Sequence, residues 1–150
     1  MTANYSLAIK ELFTLINTDW NLYSTAIIGY IPLIYWQDID EGSLPDNSKY
    51  YSRVYVNSIT TDQSTLSDIV GGIGKRRFTT YGIIAMTIYC RKGDIQASIN
   101  GRLLSQIVLT ALRKKTANVI IRQAKINELV PENGMSRFSI LGQFTFDEVQ

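Results

Sequence analysis

With 150 residues, 45% of them hydrophobic and 19% charged, the chain is too apolar for a disordered segment and long enough for one domain with its own core. A single cysteine, Cys90, excludes an internal disulfide scaffold, and the absence of histidine removes the commonest general base and the commonest metal ligand. The net charge of +2 is unevenly spread: residues 1–70 hold three Lys/Arg against eight Asp/Glu, residues 71–125 eleven against one, and residues 126–150 one against four.

A chain acidic at both ends and basic in the middle suits head-to-tail mating of copies or contact with nucleic acid, and equally a set of solvated charges. Met1 to Ser6 lack the basic region and apolar run of a signal peptide. Ala26 to Trp36 come nearest to a membrane span, and Gly29 and Pro32 interrupt them. A protein made and folded in a cytosol, with no membrane partner, is expected.

In chain order, Leu7 to Ile16 read as an amphipathic helix. Ile9, Leu12, Phe13 and Ile16 recur at helical spacing, and Asn17-Thr18-Asp19 break the pattern. Ile27 to Tyr35 read as extended, and Pro32 makes them an edge strand or an irregular one. Residues 37–49 are a loop rich in turn formers. Tyr50 to Ile59 form a strand, with Val54 and Val56 on one face and Arg53, Tyr55 and Asn57 on the other. Residues 60–77 form a second long loop, of the length that serves function or mobility.

Phe78 to Cys90 read as a long strand, apolar on both faces: Ile84, Met86 and Ile88 on one, Tyr81, Ile83, Ala85 and Tyr89 on the other. Such a strand is central, or covered by a partner. Cys90 closes this run as a buried small hydrophobe. Asp94 is placed to cap the next helix. That helix carries two adjacent apolar rows, Ile99, Leu103, Ile107, Ala111 and Leu104, Val108, Leu112, and ends in Arg113, Lys114 and Lys115, which suit its dipole. Asn118 to Leu129 and Arg137 to Phe146 pair as an antiparallel hairpin around Pro131 to Gly134. Phe138, Ile140, Phe144 and Phe146 share one face of the last strand, and Leu141 stands opposite. The predicted fold is a single α+β domain over residues 1–150: an antiparallel or mixed sheet with two main helices packed on one face.

The chemistry-bearing motifs fail in turn. Gly71-Gly72-Ile73-Gly74-Lys75 lacks the first glycine of a phosphate loop, which would stand at Ile69, and has Arg76 where a Ser or Thr is needed. Asp38, Asp40 and Glu41 lack the remaining ligands of a calcium loop. No catalytic residue, metal or cofactor is therefore assigned, and no enzyme activity is expected. Lys75, Arg76 and Arg77 beside Phe78 and Tyr81 suit a phosphate backbone, and suit salt bridges between subunits better, because the basic residues are few. With Arg53, and with Asp38, Asp40 and Glu41 as the acidic counterpart, they are the candidate contacts with a copy or a neighbour.

Taken together, several segments resemble the lambda-like phage tail terminator family. Ile31-Pro32-Leu33-Ile34-Tyr35-Trp36 is similar to its Pro-and-Trp segment, and Tyr51-Ser52-Arg53-Val54-Tyr55-Val56 to its aromatic-x-Arg-Val strand. Arg76-Arg77-Phe78, Tyr81-Gly82 and Ile88-Tyr89 resemble its basic strand entering a long hydrophobic one. Lys92-Gly93-Asp94 then leads into the long helix, and Phe144-Thr145-Phe146-Asp147-Glu148 ends the hairpin. Gln37-Asp38 stand where the family has proline and asparagine. The resemblance implies a virion protein of the tail's neck end, assembled in the host cytoplasm. It would form a ring, a hexamer, that stacks on the tail tube protein, stops tube growth and receives the head-side connector or neck protein. DNA would pass through the hole without specific recognition. A head–tail adaptor, a tail completion protein and a small nucleic-acid-binding module are the alternative readings.

Overall fold

The structure, a computed structural model, describes residues 5–37, 45–63 and 77–149. Helix α1 spans Tyr5–Tyr23, and its buried row, Ala8, Leu12, Ile16 and Trp20, repeats every fourth residue at no more than 1% exposure. The expected end at Ile16 is therefore corrected. The helix runs through Asn17-Thr18-Asp19 because its polar groups find partners. The Thr18 hydroxyl donates to the Thr14 carbonyl at 2.8 Å, and the buried Asp19 carboxylate accepts from Lys114 Nζ at 2.8 Å. Trp20 then continues the apolar row, and its indole Nε1–H donates to the Pro32 carbonyl at 2.9 Å.

A second correction concerns Ile27 and Ile28, expected to be extended. They end a one-turn helix, α2, Thr25–Ile28, closed by Gly29 at φ 84°, a left-handed conformation open to glycine; its N–H donates to the Thr25 carbonyl. Strand β1, Leu33–Trp36, starts after Pro32 and pairs in parallel with β2, Tyr51–Gln63, with Leu33 opposite Tyr51. Strand β2 outruns its predicted end at Ile59 by way of a bulge between Ser58 and Thr60. Beyond the bulge, the Thr61 and Thr80 hydroxyls meet at 3.0 Å across β2 and β3, the latter Arg77–Tyr89.

Helix α3 spans Ala97–Leu112. Asp94 stands three residues before it, and its Oδ1 accepts the Gln96 N–H at 2.9 Å, so the helix N-cap falls on Gln96 instead of Asp94. Lys114, expected only to complement the helix dipole, crosses to Asp19 of α1. Strands β4, Val119–Glu132, and β5, Met135–Val149, pair antiparallel through Asn133 and Gly134 at φ 54° and 75°, the two-residue turn whose twist matches the strands. A bulge between Arg122 and Lys125, with Gln123 at φ 53°, bends β4.

The sheet order is β1-β2-β3-β5-β4. It is mixed, because β1 is parallel to β2 while every other pair is antiparallel. The predicted α+β architecture holds: β3 is central, and both long helices lie on one face. There Leu12, Ile16, Trp20, Leu104, Val108 and Leu112 meet Val54, Ile84, Met86, Ile88, Phe138, Ile140 and Phe144 in one cluster. Among the described residues, no helix is long and apolar enough to cross a membrane.

One polar network locks the start of α3 to β2. The buried Tyr50 donates its hydroxyl to Asp94 Oδ2 at 2.5 Å, and Arg91 lies 3.4 Å from Asp94 Oδ1. The Tyr50 hydroxyl, against burial and with help from the Gln96 N–H and Arg91, holds the Asp94 carboxyl below its usual range. A carboxyl depressed on folding stabilises the fold above its unfolded pKa of about 3.9, and that contribution is lost as pH falls through the folded value. Replacing Tyr50 by Phe is therefore expected to shrink the fall in Tm below about pH 4. Thermal melts of both proteins across that window check it; parallel curves would remove Tyr50 as the cause.

Candidate interface surface

Alternation along the strands sends every second side chain away from the helices. On β2 and β3 these are Tyr51, Arg53, Tyr55 and Tyr81, Ile83, Ala85, Tyr89, and β1 adds Tyr35. Among the described residues, α1 and α3 pack only on the opposite, core face. Tyr55 and Tyr81 stay 45% and 43% exposed. Ala85 is buried without a helix over it, between its register partners Tyr55 and Leu141.

The aromatic side chains are ordered by the register. Tyr51 and Tyr89 are direct cross-strand partners, and their rings stack at 4.7 Å between centroids and 8° between planes. Tyr35 stands edge-on to Tyr51 at 5.8 Å and 86°. The Arg53 guanidinium lies 5.7 Å from the centre of the Tyr35 ring, a cation–π geometry. Arg53, Tyr51 and Tyr89, with Glu132, Asn133 and Met135 from the β4–β5 turn, line a groove of about 390 Å³. Arg137 also projects on this face, opposite Tyr89 in register, and its guanidinium bonds Glu132 at 2.9 Å and the Val130 carbonyl at 3.0 Å.

Of the seven predicted contact residues, Arg53 and Arg77 lie within the described residues, and Lys75, Arg76, Asp38, Asp40 and Glu41 lie outside them. Both arginines occupy the uncovered face, but not one site. Arg53 pairs in register with Thr87, ten residues along β3 from Arg77, which puts the two about 33 Å apart. Arg77 is engaged within its own chain, with Nε donating to Asp147 Oδ2 at 2.9 Å, while the Thr79 hydroxyl donates to Asp147 Oδ1 at 2.7 Å. Burial alone would raise the Asp147 pKa; the Thr79 and Arg77 bonds outweigh it and hold that carboxyl below its usual range.

The tyrosine cluster is the feature that charge reasoning missed. Its signal stood in the sequence as the second apolar face of the Phe78–Cys90 run, which asks for cover that this chain, among its described residues, does not supply. Tyr and Arg are the side chains enriched at the energetic centres of protein interfaces, because they offer large rigid apolar area with polar edges.

Cys90 is fully buried, and burial, with Asp94 nearby, pushes its thiol up to about 12, far from a reactive thiolate. Among the described residues no three Cys, Asp or Glu side chains cluster as metal ligands would.

No family model matches the chain, and no curated protein matches it in sequence. Solved structures do match in fold. One is a chain from the "Virion of native gene transfer agent (GTA) particle", at a TM-score of 0.51 and 14% identity, with 97% of this chain and 100% of that one covered. At that identity the shared property is the fold: the mixed sheet with helices on one face is, nearly end to end, one that also occurs in a virion.

Proposed function

We propose that this chain is a structural protein of a phage-like virion, and within it the ring that caps the head-proximal end of the tail tube. The observation that carries the reading is the end-to-end fold likeness to a virion chain, over 97% of this chain. The order of motifs from Ile31-Pro32 to Phe144-Thr145-Phe146 supports the terminator assignment within that class. The uncovered tyrosine and arginine face supports a protein that works by contact. In this reading the chain forms a hexameric ring. One ring face meets the tail tube protein and ends its growth; the other receives the neck or connector protein. DNA passes through the hole, and no reaction is catalysed.

Electron microscopy of the purified protein, alone and mixed with tail tubes, tests the ring. Annular particles with a central hole, seated at one end of the tubes, are the expected result. Tubes with bare ends and no annular particles in either sample would overturn it.

A further inference from the structure

Arg122 and Lys125 stand three residues apart on β4, so uninterrupted alternation would send them to opposite faces of the sheet. The bulge between them changes that. Arg122 pairs in register with Gln143, and Lys125 with Leu141, two residues apart on β5. The extra residue in β4 brings both side chains to one face, about 7 Å from each other. That face is the uncovered one, because Val119, Ile121, Ala124 and Ile126 are the β4 side chains that join or pack on the core cluster. Lys125 also lines a hollow of about 160 Å³ there, with Gln123, Gln143, Leu141 and Ile83.

Arg53 adds a third cation to this face. Its register row crosses the sheet through Thr87 and Ser139 to Asn127, two residues from Lys125, which puts Arg53 and Lys125 about 16 Å apart. The exposed Tyr55 shares the Lys125 row, through Ala85 and Leu141. The carboxylates of this face do not cancel these charges. Arg137 holds Glu132, Arg77 holds Asp147, and Asp62 stands nine residues along β2 from Arg53. Among the described residues, neither Arg122 nor Lys125 meets a carboxylate.

We propose that this face holds the phosphate backbone of duplex DNA; the inference rests on the ring reading above and assigns the face turned to the hole. Charge selects the occupant. A polyanion is held by cations that neutralise its phosphates, and Arg53, Arg122 and Lys125 supply them on one surface. Tyrosine hydroxyls such as those of Tyr55 and Tyr81 donate to phosphate oxygens between them. Contacts of this kind position a duplex and carry no sequence information, which suits DNA that has to slide past. A second copy is the poorer match. Among the described residues, Asp19, Asp94, Glu128, Glu132 and Asp147 already meet a cation of their own chain.

The test measures binding of the purified protein to a fluorescently labelled DNA duplex of arbitrary sequence, by anisotropy, between about 50 and 200 mM salt. The double variant Arg122→Gln with Lys125→Gln is compared with the wild type. Lys10→Gln, at an exposed position of α1 on the other side of the sheet, is the control. The double variant is expected to lower the slope of log affinity against log salt by about 2 per bound chain, and to bind about tenfold more weakly at the lowest salt. Lys10→Gln is expected to keep the wild-type values. Thermal melts check folding; if the double variant does not fold, Lys125→Gln gives the reading, with a slope change of about 1. An unchanged slope in the double variant, or an equal fall with Lys10→Gln, would overturn the proposal. A double variant that keeps its slope but loses mass by light scattering would make this face a contact between copies instead. A wild-type protein that forms annular particles but binds no duplex at about 50 mM salt would overturn the face and leave the ring standing. Duplex binding that responds as expected, without annular particles, would overturn the ring and leave the face.

Discussion

Replacing Trp20 by alanine is expected to cost about 3–5 kcal/mol of folding stability. Two effects add. Trp20 is 0% exposed, so its removal opens a cavity at the junction of α1 and the core cluster. Its indole N–H also ties α1 to the Pro32 carbonyl, the last residue before edge strand β1. Without it, a carbonyl beside the core loses its donor. A drop in Tm of roughly 10–20 °C is the expected reading by calorimetry. Trp20→Phe separates the two effects, because it keeps most of the volume and removes the donor; its cost should be about 1–3 kcal/mol. Equal losses for both variants would mean that the hydrogen bond, and not the packing, anchors α1.

Gly101→Ala is expected to destabilise by about 1–3 kcal/mol, although alanine is the better helix former by about 1 kcal/mol. The reason lies where α3 crosses β5. A methyl group on Gly101 would stand 2.1 Å from Phe138 Cε2 and 2.5 Å from Cδ2, far inside contact distance. Phe138 is 4% exposed and part of the core cluster, so its ring has no free space to move into. The helix must lift from the sheet or the ring must leave its rotamer. The double variant Gly101→Ala with Phe138→Leu removes the clash and should lose less than the sum of the two single changes. Urea unfolding of the four proteins measures the coupling, and strict additivity would refute close packing at this crossing.

Much of the architecture was legible in the residues because it is written in local periodicity. The alternation of Phe138, Ile140, Phe144 and Phe146 set the core face of β5, and all four are buried. The two-sided apolarity of the Phe78–Cys90 run asked for a central strand or one covered by a partner, and β3 lies at the centre of the sheet. The failures are non-local. Asn17, Thr18 and Asp19 look like a helix end until Lys114 arrives from a position 95 residues away to neutralise Asp19. The end of β2 was hidden by a bulge whose register depends on β3.

The uncovered surfaces were only partly legible, for the same reason. Charge marked Arg53 and Arg77, but the strand register separates them along the sheet. The tyrosines were visible as residues, yet nothing local says that Tyr51 stacks on Tyr89 or that Tyr35 lies under Arg53. Likewise, both apolar rows of α3 were visible, and how far the fold covers each was not: Ala111 is buried with Leu104, Val108 and Leu112, while Ile99 and Leu103 of its own row stay exposed.

The central claim is that this chain ends the growth of a tail tube and makes it fit for joining. Electron microscopy of particles assembled without the chain tests it most directly. The account predicts tubes that overrun the normal length and heads that stay unattached, with length and attachment restored when the purified protein is supplied before assembly. Tails of normal length, joined to heads in its absence, would contradict it.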